Sequence, residues 1–391
     1  MKKLAGVGAA LCALLAQQLF AQDGITNAQR KFIKGSIVDK TAAVREASGS
    51  ERQLAESGLD FVIAYQPLLG NDRDLAALAI ASILALPKAE GADAEYVERI
   101  SEKLVKAFNL FADETVRITV LEKLVLFAAR SNSEKAVTLM NTYLADAAKK
   151  SKEASSVMLA TLSAIGKVGN SNSFAIVYNI WQSGCWEAQR ADVEAALVGL
   201  SESSVSDAIK VIVAADIRET KAFFTLLTKN AKKSQNFIAE IAENVLSKAI
   251  YTVEGSSVGS DVVDLQIAAL KILADSHWTR ASKLVIGSFA TAKSEYASGA
   301  MSEMQFIDVI TSVAKLASPD SAVTLASYLS DLNKGVAENN TPAKSVVLAV
   351  ISALGELGDK AAFDTLLYVT YLSYPDDVIR AAREALARLK W

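Results

Sequence analysis

The chain has 391 residues, 51% hydrophobic and 22% charged, with 41 Lys and Arg against 44 Asp and Glu and a net charge of -3. That balance excludes a phosphate-tracking surface, which needs a marked basic excess, and five prolines without long Gly/Ser tracts exclude a disordered or collagen-like chain. A single histidine, His277, leaves three-His metal sites and most imidazole-dependent chemistry without residues.

In chain order, the first element is a processing signal. Lys2 and Lys3 precede an apolar stretch from Leu4 to Ala16, and Leu19 and Ala21 supply the exit. This is the n-region, h-region and cleavage pattern of secretion, which predicts a signal peptide over 1–21 and a mature start near Gln22. An uncleaved anchor is the alternative reading, and the run is short for a span. Cys12 does not make a lipoprotein site, because Leu11 stands where a small residue is needed. Its removal would leave Cys185 as the mature chain's one cysteine, so packing rather than a disulfide must stabilise it. No later segment has 18 uninterrupted apolar residues, so the body is expected to be exported, periplasmic, and without a membrane span.

From about residue 54 the apolar residues recur every three or four positions. Phe174, Val177, Tyr178 and Trp181 fall on one helix side, and Phe363, Leu366, Leu367 and Thr370 repeat the spacing. Helices of about 12–16 residues are predicted, separated by turns such as Gly169 to Asn172, Ser318-Pro319-Asp320 and Gly358-Asp359.

The sequence also matches itself. Ser163 to Leu200 lies over Ser352 to Leu389 without a gap, pairing Gly166 with Gly355, Gly169 with Gly358, Phe174 with Phe363 and Ala196 with Ala385. Upstream, Ala136 to Leu139 matches Ala322 to Leu325, with a fainter echo of Leu54 to Glu56 in Ile241 to Glu243. An offset of about 185–189 residues predicts two halves, 22–213 and 214–391. The paired glycines are expected to end helices in left-handed conformation, the same turn built twice.

A shorter unit lies inside each half. Ser352 to Asp359, then Phe363 to Leu372, then Asp376, Asp377 and Arg380 resemble the HEAT-repeat family: a helix ending Ala-Leu-Gly-x-Leu-Gly, a second helix, and an acidic turn before an arginine. Asp113, Val116 and Arg117 look like another such turn. The likeness is specific over 345–391, fair over 113–213 and weak elsewhere, and between about 218 and 300 the glycine pattern is lost. It implies an all-α solenoid of about eight to ten stacked antiparallel helix pairs, an elongated curved rod whose concave face holds other proteins. HEAT-like enzymes that bind metal use paired His-Glu motifs, and this sequence has none.

The candidates for chemistry have plainer explanations. Ser312 and Lys315 have Ser-x-x-Lys spacing, but the companion Lys-Thr-Gly is missing. Gly166-Lys167-Val168-Gly169 lacks the long loop of a phosphate site, and its duplicate has Glu356 for the lysine. His277, beside Trp278, is expected in a turn between helices. No catalytic residue, cofactor or metal is assigned.

For binding, Trp181 is expected in the core, whereas Trp186, after Gly184-Cys185, is read as an exposed anchor. Tyr368 lies off its helix's apolar stripe and is expected to face a groove or solvent. Lys149, Lys150 and Lys152 form a basic cluster placed between helices, as do Lys232 and Lys233, and Trp391 is read as a cap on the last helix. The expected function is that of an exported, non-catalytic scaffold or adaptor binding cell-envelope proteins. The alternative is an exported enzyme or small-ligand binder with a site between helices.

Overall fold

The computed structural model describes residues 26–47, 52–87, 93–131, 134–229, 233–253 and 259–390. The signal sequence, Lys232 and Trp391 lie outside the described residues. The chain divides into two compact units, Met1–Ser204 and Val205–Trp391. Among the described residues both are built of α-helices, with no strand beyond a lone bridge between Asp359 and Lys390.

The first unit has five helix pairs among its described residues. They are α1 (Asn27–Lys34) with α2 (Ile37–Ala47), α3 (Arg52–Leu69) with α4 (Arg73–Ala85), α5 (Ala94–Leu110) with α6 (Glu114–Ser131), α7 (Glu134–Lys150) with α8 (Ser156–Val168), and α9 (Ser171–Ser183) with α10 (Arg190–Ser201). Helices two apart also pack on each other. One row runs α3, α5, α7, α9 and the other α2, α4, α6, α8, α10.

The second unit repeats the plan. Its pairs are α11 (Val205–Ala214) with α12 (Ile217–Thr228), α13 (Gln235–Val253) with α14 (Ser260–Asp275), α15 (Ser282–Ser298) with α16 (Glu303–Lys315), α17 (Pro319–Ala337) with α18 (Lys344–Leu357), and α19 (Phe363–Val369) with α20 (Asp376–Ala387). Here too the odd helices make one row and the even helices the other. Each unit is therefore a solenoid-type stack, in which an amphipathic pair buries its remaining apolar stripe against the pairs beside it. The helices run from 7 to 19 residues, a wider spread than the turn spacing predicts.

Side-chain chemistry sets where helices begin. Asp72, Asp93, Asn170, Asp216 and Ser302 each accept a bond from the backbone N–H three residues on, satisfying a donor that the first turn leaves over. The core follows the periodicity: Phe174, Val177, Tyr178 and Trp181 are all buried. On the other predicted stripe Leu366 is buried, while Phe363, Leu367 and Thr370 are half-buried.

The two segments that match in sequence hold matching places. Each runs from the second helix of the fourth pair (α8 or α18) through the fifth pair of its unit. A Cβ on Gly166 would come 3.0 Å from Ala196 Cα, and one on Gly355 would come 3.0 Å from Ala385 Cβ, so the same glycine lets the same alanine helix close in. The second glycine needs a correction. Gly358 is left-handed at φ 63°, but Gly169 has an extended backbone at φ -71°. It is tight for another reason: an added Cβ would stand 2.6 Å from both the Ile165 carbonyl and Leu200 Cδ2.

Ion pairs connect helices of one row. In the first unit Arg99 and Lys103 of α5 reach Glu56 and Asp60 of α3 at 2.6 Å each, while Lys135 of α7 reaches Glu98 and Glu102. In the second, Lys221 spans Asp261 and Asp264, Lys315 meets Asp275, and Lys344 meets Asp377. Between about 218 and 300, where the glycine signature fades, these pairs persist, and Gly259 and Gly287 see nothing within 4 Å. The stack continues there without close glycine contacts.

Candidate protein-interaction surface

The candidate residues fall in two places, one in each unit. In the first, α7 ends with Lys149 and Lys150 in its last turn, and Lys152 follows in the turn to α8; all three are exposed. The first two therefore lie on the helix rather than between helices. A helix C-terminus carries partial negative charge on its free carbonyls, which places cations there favourably. Among the described residues none of the three has an ion-pair partner, so their charge is turned to solvent.

Trp186 is a correction. It is 1% exposed and among the largest fully buried side chains, so it offers no anchor to a partner. Its backbone is left-handed at φ 63°, and Nε1 donates to the Ser151 carbonyl at 3.0 Å. Cys185 Sγ lies 3.6 Å from the Ala148 and Ser151 carbonyls, and burial pushes its thiol up from its ordinary value. The structure thus brings Trp186 and the lysine turn together, with the indole as the internal post beneath the segment that displays Lys149, Lys150 and Lys152.

In the second unit Tyr368, near the end of α19, is 47% exposed, as its position off the stripe implies. Tyr371, three residues on, is 77% exposed, and the Tyr-x-x-Tyr spacing is the one sequence signal that points to it. Tyr374 behaves differently: it is buried, its hydroxyl donates to Asn333 Oδ1 at 3.1 Å, and burial pushes it up to about 12. The last pair therefore presents two tyrosines outward and fastens itself to α17 with a third.

Sequence reading also missed two tryptophan clusters. Trp181 Nε1 and Arg190 Nε both donate to Glu194 Oε1, at 3.2 and 3.0 Å, with the guanidinium 5.4 Å from the indole centroid. Trp278 Nε1 and Arg280 Nε donate to Glu243 Oε2, at 2.8 and 2.9 Å, with the guanidinium at 4.8 Å. Each carboxylate satisfies an indole and holds an arginine near its ring, a combined ion-pair and cation-π contact. Spacing alone could not reveal them, since Glu243 lies 35 residues before Trp278.

The residues weighed for catalysis are not assembled into a site. Ser312 is buried and donates to the Asp308 carbonyl of its own helix, while Lys315 turns to Asp275 at 2.7 Å. His277 occupies a turn, left-handed at φ 48°, with Nδ1 3.0 Å from the Lys315 carbonyl oxygen. Among the described residues no group of three or more His, Cys, Asp and Glu could hold a metal ion, and no helix is long and apolar enough to cross a membrane. No family model matches the chain, and neither does any curated protein or solved structure.

Proposed function

We propose that the chain is an exported, non-catalytic scaffold of HEAT-like type, periplasmic after loss of 1–21, that binds other cell-envelope proteins through the exposed faces of its helix rows. The observation that carries this reading is the two-row stacking of antiparallel pairs in each unit, which leaves long rows of helix surface facing solvent. The two halves are read as copies of one ancestral array, supported by the shared glycine-alanine contact in the fourth and fifth pairs. Tyr368 and Tyr371 serve as aromatic contacts, and the Lys149 to Lys152 turn as a cationic one.

Photo-crosslinking in intact cells tests this directly. A photoreactive residue at 150, 368 or 371 should give discrete adducts with envelope proteins, whereas one at an internal position such as 186 should give none. N-terminal sequencing of the cell-fractionated protein should find a start near Gln22. Absence of adducts from all three surface positions, together with consumption of a small molecule by the purified chain, would replace this reading with that of an enzyme.

A further inference from the structure

Glu295 stands out among the buried groups. It lies in the last turn of α15 and is 3% exposed. Its Oε1 accepts from Gln266 Nε2 of α14 at 3.0 Å, and Gln266 is itself 1% exposed. Its Oε2 is buried with no hydrogen-bond partner. The backbone carbonyl of the same residue accepts from Ala300 N at 2.9 Å and Met301 N at 3.1 Å, closing the turn at left-handed Gly299. One residue therefore joins α15 to α14 through its side chain and shapes the exit from α15 through its main chain.

A carboxylate in this place has little support. The end of a helix is its negative pole, and a buried anion needs a cation or several donors. The charged groups on the surrounding helices are engaged elsewhere or exposed. On α15 itself Lys293 pairs with Asp331 of α17, and Lys283 is exposed. On α14, Asp261 and Asp264 hold Lys221 and Asp275 holds Lys315 of α16, while Lys271 is exposed. On α13, Glu240 and Glu243 hold Arg280, and Lys248 reaches the Ile212 carbonyl. On α16, Glu303 takes the Ser345 hydroxyl and Asp308 is exposed; Tyr296 and Tyr328 are neutral phenols, each pushed up by burial. Burial accordingly pushes the Glu295 carboxyl up, and the Gln266 amide opposes this as the smaller effect.

We propose that Glu295 is a proton-operated clasp: as a neutral acid it stays buried between α15 and α14, and on losing its proton it becomes a buried charge with no cation beside it, which opens the last turn of α15 to solvent. Because the folded state holds this proton more tightly than the unfolded chain, the clasp is fully engaged below the ordinary glutamate range. It is lost as pH rises through the elevated value.

The test is hydrogen exchange on the full chain from pH 4 to 9, following amides 296–301 and dividing each rate by its intrinsic value. The wild type should lose protection there by up to about tenfold per pH unit between the ordinary glutamate range and the elevated value, the slope of one linked proton, and level off above it. Glu295→Gln and Glu295→Met, which cannot titrate, should hold a flat profile over the same interval. Parallel profiles for wild type and both variants would overturn the proposal. Should neither variant fold, carbon-13 titration of glutamate carboxyls in the wild type decides. A carboxyl titrating above the exposed set supports the clasp, and none doing so overturns it.

Discussion

Trp186 shows that an aromatic residue in a turn can serve the core rather than the surface. The indole is buried as an internal post, and the backbone that carries it is left-handed, with φ at 63°. A non-glycine residue in this region carries about 1–3 kcal/mol of strain, which the surrounding structure must offset. Burial and the Ser151 bond do so. Trp186→Ala should therefore cost about 3–5 kcal/mol in chemical denaturation, because it removes a full aromatic from a packed site. It should also loosen the Lys149 to Lys152 turn, seen as faster proteolysis after those lysines. The sequence contained Gly184-Cys185-Trp186 as an evident turn. It did not contain the sign of φ, since tryptophan carries none of glycine's tolerance to announce a left-handed position. Trp181 was legible because its i-3, i-4 and i-7 neighbours are apolar, and Tyr368 because it breaks its stripe.

Helices were readable where apolar spacing and turn residues agree, and their ends were readable where a side chain caps them. The acidic turn at Asp113 is such a case: Oδ1 accepts from Val116 N at 2.9 Å, and Arg117 Nε donates to the Phe111 carbonyl at 2.7 Å. One end of α6 is thus capped while the preceding helix is closed. Asp113→Ala should cost about 1 kcal/mol, the ordinary worth of an N-cap, with hydrogen exchange rising first in the opening turn of α6. The related turn at Asp376 and Asp377 is built otherwise. Asp377 pairs with Lys344 at 2.5 Å and Arg380 is exposed, so similar letters make a row contact there instead of a helix closure. Such row contacts were invisible in the sequence, because partners 33 to 43 residues apart share no local pattern. They carry a pH signature. Glu102, Asp261 and Asp377 are held below the ordinary carboxylate range by hydrogen bonds from Lys135, Lys221 and Lys344. Their contribution is present above that range and is lost as pH falls through the lowered values. Acid titration should expose the α12–α14 and α18–α20 contacts before the apolar core, measured by hydrogen exchange at stepped pH.

At the scale of the molecule, composition and the long-range self-match conveyed most of the architecture: all-α, paired helices, ten pairs among the described residues within the expected eight to ten. The binding surface was less legible, because exposure depends on packing between helices distant in sequence. Each unit has its own buried core, with Leu54, Phe108 and Phe174 in the first and Phe223, Phe306 and Val350 in the second. Fragments ending at Ser204 and beginning at Val205 should therefore each show cooperative helical melting by circular dichroism.

The ion pairs and glycine contacts within a unit join each hairpin chiefly to the one before and the one after. An array coupled only to nearest neighbours can come apart by stages, so drawing a unit out by its ends would peel hairpins from a frayed edge in a series of small yields. Its extension under load would be distributed among many modest steps, and releasing the tension would let neighbours serve as templates for rewinding.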